Sequence, residues 1–229
     1  MQKIKGAIFD LDGTILDSMH IWPEIDEDFL GRRGITVPDD YIKAISTMGF
    51  NEIAIYTKDR FGLTESIEEI KKEWNEMSIL AYATTIGLKK GAKEYLKFLK
   101  SKNIKLSVAT ASTEQIFIPA LENNEISEYF DAITTLAEVK KGKGFADIYL
   151  KAAEKIGVTP SECVVFEDLY EGLKAAKEAG FITVGVYEKY SVNPEEMIRK
   201  QSDLFIYDFD ELLKNGEFHE SMKRTEADA

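Results

Sequence analysis

The stretch IFDLDGTILDS, residues 8–18, places two carboxylates one residue apart, Asp10 and Asp12, where an apolar run stops. Like charges this close oppose each other's ionisation unless something positive joins them. Hard oxygen donors suit a divalent cation such as magnesium (Mg2+). Three further polar groups stand at comparable punctuation points. Thr110 and Ser112 follow the run IKLSVAT, Lys143 precedes a helical pattern, and Glu167 with Asp168 closes CVVFE. Two carboxylate clusters, a hydroxyl site and one ammonium match the needs of phosphoryl transfer: a nucleophile, a metal and donors to the phosphoryl oxygens.

These residues need a scaffold that brings them to one rim. IKGAIF (4–9), IKLSVAT (104–110), FDAITT (130–135), CVVFE (163–167) and FITVGV (181–186) read as short buried strands, and DLFIYD (203–208) repeats the signal more weakly. Amphipathic helices lie between them. Ala92, Tyr95, Leu96 and Leu99 recur at helical spacing, as do Phe145, Ile148, Tyr149, Ala152, Ala153 and Ile156. TPSE (159–162) reads as a capping box with proline at the first helical position, and Gly180 closes a helix that starts near Tyr170. Alternating strands and helices predict an α/β fold, a doubly wound parallel sheet covered on both faces. In such a sheet ligands bind outside the carboxyl ends of the strands, where Asp10, Thr110 and Glu167–Asp168 fall.

Residues 18–84 have no convincing strand. Ile21, Ile25 and Phe29 lie at four-residue spacing, and Ile67, Ile70, Trp74 and Met77 follow helical spacing after a cap expected at Thr64. Three or four helices inserted after the first strand predict a separate helical lobe. The domain division is therefore 1–17 with 85–229 for the core and 18–84 for the inserted cap. Met48, Phe50 and Trp74 are expected in the core of that lobe, with Trp22 either there or walling a pocket.

Composition bounds the partners. The 229 residues are 44% hydrophobic and 31% charged with a net charge of −12, a balance that suits a globular chain and repels nucleic acid and anionic membranes. No apolar run approaches the ~20 residues that span a bilayer. Cys163, the single cysteine, excludes an internal disulfide and reads as a buried small hydrophobe. With no signal-peptide pattern, a cytoplasmic location is expected. A monomer is expected, since no coiled-coil pattern is present.

Four segments carry a resemblance. DLDGT resembles the first motif of the haloacid dehalogenase-like superfamily, an Asp-x-Asp-Gly-Thr/Val after an apolar strand. LSVATAS is similar to its second motif, KGKGFADIYLKAAEKIGVTP to its lysine segment, and VVFEDLYEGLKAAKEAGF to its acidic segment. Alone, each has an ordinary explanation: a polar turn, a helix cap, a solvated lysine, an acidic first helical turn. All four in family order and spacing, from about residue 4 to residue 187, make the resemblance specific. The inserted helices match the cap of the phosphoglucomutase-like and phosphoglycolate-phosphatase-like branch.

The resemblance implies roles. Asp10 would be the nucleophile, forming an aspartyl-phosphate, and Asp12 the general acid and base. Thr110, Lys143 and backbone N–H groups near Leu11 and Ala111 would hold the phosphoryl oxygens. Ser112 reads equally as a helix cap or a phosphate contact. Mg2+ would bind Asp10, the Asp12 carbonyl and Asp168, with Glu167 an inner or outer ligand. The expected activity is magnesium-dependent hydrolysis of a small phosphorylated metabolite, such as a sugar phosphate. A phosphosugar mutase is the alternative and a non-catalytic binding protein with this fold the second.

The chain departs from the pattern at Gly144, where proline is usual, and at Leu169, where serine or asparagine is common. The cap region STMGFNEIA carries no Arg or Lys between Lys43 and Lys58. Mutases of this branch grip a second phosphate with such a residue, so hydrolysis is favoured.

Overall fold

The computed structural model describes residues 4–45, 48–142 and 144–215. Six strands form one parallel sheet: β1 Gly6–Phe9, β2 Lys105–Thr110, β3 Ala132–Thr135, β4 Cys163–Glu167, β5 Ile182–Val186 and β6 Leu204–Ile206. Their order is β3-β2-β1-β4-β5-β6. Four helices, α1 Ile21–Gly31, α2 Tyr41–Ile45, α3 Phe50–Phe61 and α4 Ile67–Thr84, follow β1. Six more intersperse the later strands: α5 Ala92–Ser101, α6 Glu114–Asn123, α7 Asp147–Ile156, α8 Tyr170–Glu178, α9 Glu195–Gln201 and α10 Asp210–Asn215. Every expected strand is present, and the TPSE segment forms the 3-10 turn Pro160–Glu162 with its capping box. Among the described residues no helix is long and apolar enough to cross a membrane.

The strands are short apolar runs because both faces of the sheet are covered. Every residue of β1, β4 and β5 is buried. Alternate side chains take opposite faces. On one face, Phe9 and Phe166 are register partners whose rings stack at 4.5 Å, and Tyr95 of α5 and Phe209 pack against Phe166. On the other, Ile8, Ala109 and Val165 pack with Ile148, Tyr149 and Ala152 of α7 and Ala175 and Ala176 of α8. Cys163 is buried in this second cluster, and burial pushes its thiol far above the usual range, which keeps it inert. Phe145 lies outside both layers. Helix α7 begins at Asp147, two residues later than the apolar periodicity suggests, so Phe145 is half exposed.

The chain divides into two compact units. One comprises residues up to Met19 and from Gly87 onward, and the other is His20–Ile86. Within the sheet unit, the segments leaving and returning run side by side. Asp17 N–H donates to the Gly87 carbonyl (3.0 Å) and Lys89 N–H to that of Ile15 (2.8 Å). The Lys89 ammonium is nearly buried and pairs with the buried Glu188 carboxylate, tying the returning segment to the loop after β5.

The helical unit has its own core. Trp74 of α4 is buried against Phe29 of α1 at 5.4 Å, and Arg33 stacks over the Phe29 ring. Phe50 packs on the Trp74 edge but remains half exposed, as does Trp22, so neither is a core residue. Helix α4 is capped by Ser66 rather than Thr64. Ser66 and Glu69 satisfy each other's backbone N–H groups, whereas the Thr64 hydroxyl turns to Glu65.

Asp26 of α1 is buried beside Tyr41, whose hydroxyl also meets Thr57 at 2.6 Å. Burial pushes the Asp26 carboxyl from its ordinary 3.8 up to about 7, against the opposing effect of the Tyr41 hydroxyl. Between those values the folded chain holds a proton that the unfolded chain has lost, so this group's contribution to stability falls as pH rises from about 4 to about 7. The urea midpoint of the protein should drop between pH 5 and pH 8 by more than that of Asp26→Asn, which carries no titrating group at this position. Identical drops would show that Asp26 does not carry the dependence.

Candidate active site

The strand order reverses around β1 and β4, which are neighbours, and this is where open α/β sheets bind ligands. Phe9 pairs with Phe166, and Asp10 N–H donates to the Phe166 carbonyl at 3.0 Å. The residues at the carboxyl end of each strand, Asp10 on one and Glu167–Asp168 on the other, are thereby brought to one rim. Carboxylate oxygens of Asp10, Glu167 and Asp168 all lie within 4.8 Å of one another, and all three residues are buried.

Beyond Asp10 the chain turns tightly. The Leu11 carbonyl accepts from Thr14, Ile15 and Leu16, and Gly13 N–H donates to Leu16. This turn sends Thr14 back under the acids, where its hydroxyl lies 3.2 Å from Asp10 Oδ2 and 3.2 Å from Asp168 Oδ1. Gly13 has φ +80°, and a Cβ there would sit 2.6 Å from Asp168 Oδ2, so both backbone conformation and space demand glycine. Glu167 is fixed at both oxygens. Its Oε1 accepts from the Tyr149 hydroxyl at 3.0 Å and its Oε2 from Asp168 N–H at 3.0 Å. Burial, with Glu167 and the neighbouring acids adding to it, raises the Tyr149 phenol well above its usual range, so it remains a donor. Gly172 of α8 makes room, since a Cβ would meet Glu167 Oε1 and the Tyr149 hydroxyl oxygen.

The Asp12 carboxylate is not in this group. Ser18 Oγ donates to its Oδ1 at 2.8 Å and Ser112 Oγ to its Oδ2 at 2.5 Å. Thr110, at the buried end of β2, accepts at its Oγ1 from Ser112 N–H at 3.0 Å, which leaves its own hydroxyl proton free to donate elsewhere. Ala111 follows it, exposed. Ser112 caps nothing: the residue preceding α6 is Thr113, and no side-chain capping bond is made there. Lys143 lies outside the described residues. Where Leu169 replaces a polar residue, Asn193 from the loop after β5 supplies the missing acceptor, taking Tyr170 N–H at 3.1 Å.

Thr14, Ser18 and Tyr149 are the site residues that sequence reading alone passes over. Thr14 is visible in hindsight as the hydroxyl of DLDGT. Tyr149 is masked by its place in an apolar helical stripe, and Ser18 gives no signal beyond its closeness to the motif.

The sequence profile of the haloacid dehalogenase-like hydrolases matches residues 7–186, spanning β1 through β5 and every acid described above. The chain belongs to this family. Family relatives include a phosphorylated carbohydrates phosphatase of Thermotoga maritima, 30% identical over 177 residues, 77% of this chain and 82% of the relative. A beta-phosphoglucomutase of Bacillus subtilis is 30% identical over 215 residues, 88% of this chain and 92% of the relative. Among solved structures, a HAD hydrolase of family IA, variant 3, from Entamoeba histolytica has a TM-score of 0.76 at 25% identity, covering 96% of this chain and all of that one.

The geometry at Gly13 makes a direct test of this family site. Gly13→Ala should destabilise the protein by at least about 1–2 kcal/mol, the cost of a left-handed conformation for a residue with a Cβ. Gly31→Ala, where added Cβ space is open, should cost nothing measurable. Equal urea midpoints for the two variants would show that the Gly13 turn does not require glycine.

Proposed function

We propose that the protein is a magnesium-dependent phosphatase acting on small phosphorylated metabolites, with sugar phosphates the favoured class. The observation that carries this reading is the buried convergence of Asp10, Glu167 and Asp168 at the β1–β4 rim. Three carboxylates and no soft ligand make an all-oxygen donor set suited to a hard divalent cation. Asp10, Asp168 and the Asp12 backbone carbonyl would hold Mg2+. Glu167, held by the Tyr149 hydroxyl and the Asp168 N–H, would be an inner or outer ligand. Bound there, Mg2+ would offset the acids and draw charge from a phosphoryl oxygen.

In this reading Asp10 attacks phosphorus. The bond from phosphorus to the ester oxygen breaks, and the leaving alkoxide takes a proton from Asp12. The product is an aspartyl-phosphate. Water then attacks phosphorus, its proton passes to Asp12, and the bond to Asp10 breaks to release phosphate. The Thr110 hydroxyl, Lys143 and the N–H groups of Leu11 and Ala111 hold the phosphoryl oxygens through both steps. Helices α1–α4 would serve as the cap that the resemblance implies.

Hydrolysis is favoured over mutase chemistry because STMGFNEIA carries no Arg or Lys between Lys43 and Lys58 to grip a second phosphate, and several other cations of the helical unit are paired within it. Arg33 bonds Glu65 and Glu73, Arg60 bonds Asp40, and Lys58 is held by the carbonyls of Leu63 and Glu65.

Phosphate release from a panel of phosphorylated sugars and other metabolites tests the proposal. Chelator-treated protein should be inactive and Mg2+ should restore turnover. A panel with no hydrolysed member would overturn the reading. Asp10→Asn should lose on the order of a thousandfold or more in kcat, as removal of a nucleophile does, with a melting temperature no lower than that of the wild type, since a repelling charge is removed from the cluster. Turnover near the wild-type rate would remove Asp10 from the nucleophile's role. Asp12→Asn should lower kcat/KM by about 10²–10⁴ for an alkyl phosphate and far less for p-nitrophenyl phosphate, whose leaving group needs no proton.

A further inference from the structure

Asp10 and Asp12 are two residues apart yet meet different surroundings. Asp10 joins the buried acids, and Asp12 is held at both oxygens by serines, one six residues on and one a hundred residues on. Ser18 lies on the segment that leaves the sheet unit and is fully buried, so its hydroxyl requires an internal partner, and Asp12 Oδ1 is that partner. Ser112 comes from beyond β2, one hundred residues away, and its half-buried hydroxyl reaches Asp12 Oδ2. Ser112 does not cap α6, and its backbone N–H is taken by Thr110.

We propose that Ser112 is a positioning residue for Asp12: with Ser18 it fixes the carboxyl group for proton transfer and withholds it from the cluster formed by Asp10, Glu167 and Asp168. The inference rests on the phosphatase reading and assigns Ser112 to the proton carrier rather than to the phosphoryl group. Its physical basis is geometric. Two rotatable bonds separate the Asp12 carboxyl from the backbone, and one hydrogen bond at each oxygen removes both freedoms. A hydroxyl both donates and accepts, and so it stays bonded to Asp12 before and after the proton moves. An aspartate without this clamp could rotate toward a cation held by its neighbours, and as a metal ligand it would no longer carry a proton.

The test compares two esters of similar size, benzyl phosphate and p-nitrophenyl phosphate. Only the first expels a strongly basic alkoxide that needs the proton. The ratio kcat/KM reports the steps through loss of the alcohol, before the hydrolysis common to both. Ser112→Ala should lower kcat/KM for benzyl phosphate about tenfold, a fraction of the 10²–10⁴ that a positioned acid supplies, and for p-nitrophenyl phosphate less than about twofold, since its phenolate leaves unprotonated. Inhibition by inorganic phosphate should be unchanged, and Ser112→Thr, which keeps the hydroxyl, should recover most of the loss. Equal losses for the two esters, with weaker inhibition by phosphate, would overturn the inference and make Ser112 a phosphate ligand. No loss for either would overturn it as well. Wild-type protein that hydrolyses neither ester, nor any member of the metabolite panel, would overturn the phosphatase reading itself, and this assignment with it.

Discussion

The site is governed by mutual repulsion among three buried carboxylates. Asp10, Glu167 and Asp168 are all buried and place oxygens within 4.8 Å of one another. At that separation, with an effective dielectric constant near 20, each charged pair repels by on the order of 3 kcal/mol. A fold tolerates this only where surrounding groups hold the acids in place. Thr14 lies between Asp10 and Asp168, Tyr149 and a backbone N–H fix Glu167, and Gly13 and Gly172 leave the space these contacts need. Much of the local sequence is thus explained by one electrostatic demand, and the same demand is what makes the cluster a cation site of the right chemistry.

The rigid layer beneath the acids makes that arrangement possible. Asp10 follows a strand packed on both faces, with Phe9 stacked on Phe166 below one acid and Ile8 and Val165 set into the helical layer opposite. Polar groups that must hold a fixed geometry are best mounted on such elements. The turn after β1 adds a second consequence. By folding Leu11–Leu16 back on itself, it separates two carboxylates that a straight strand would have pointed the same way. One acid enters the cluster and the other is delivered to a pair of serines. Carboxyl groups in unlike surroundings can take unlike roles in one reaction.

Most of the architecture is legible in the sequence because strands buried on both faces are apolar without interruption and helices between them repeat every three to four residues. IKGAIF, CVVFE and FITVGV need no tertiary information to be recognised. Where the reading slips, neighbours compete for one task. Thr64 and Ser66 are both plausible caps, and only the reciprocal bond with Glu69 selects Ser66. Phe145 is in phase with the apolar stripe of α7, but the helix starts after it and the ring stays in solvent. Leu169 reads as the loss of a polar contact, whereas Asn193, distant in sequence, restores an acceptor at the same helix start.

By itself the sequence determined which residue types stand at the ends of the strands, since each is a break in a local apolar pattern and is read locally. That is enough to identify the acids, the hydroxyl of Thr110 and the chemistry they can perform together. Tertiary structure alone decided who meets whom. The adjacency of β1 and β4 puts Asp10 beside Glu167 and Asp168, and the turn at Gly13 gives Asp12 to Ser18 and Ser112 instead. Those pairings depend on strand order and on the path of the turn, and all but the bond to Ser18 join residues a hundred or more positions apart, so no local periodicity encodes them.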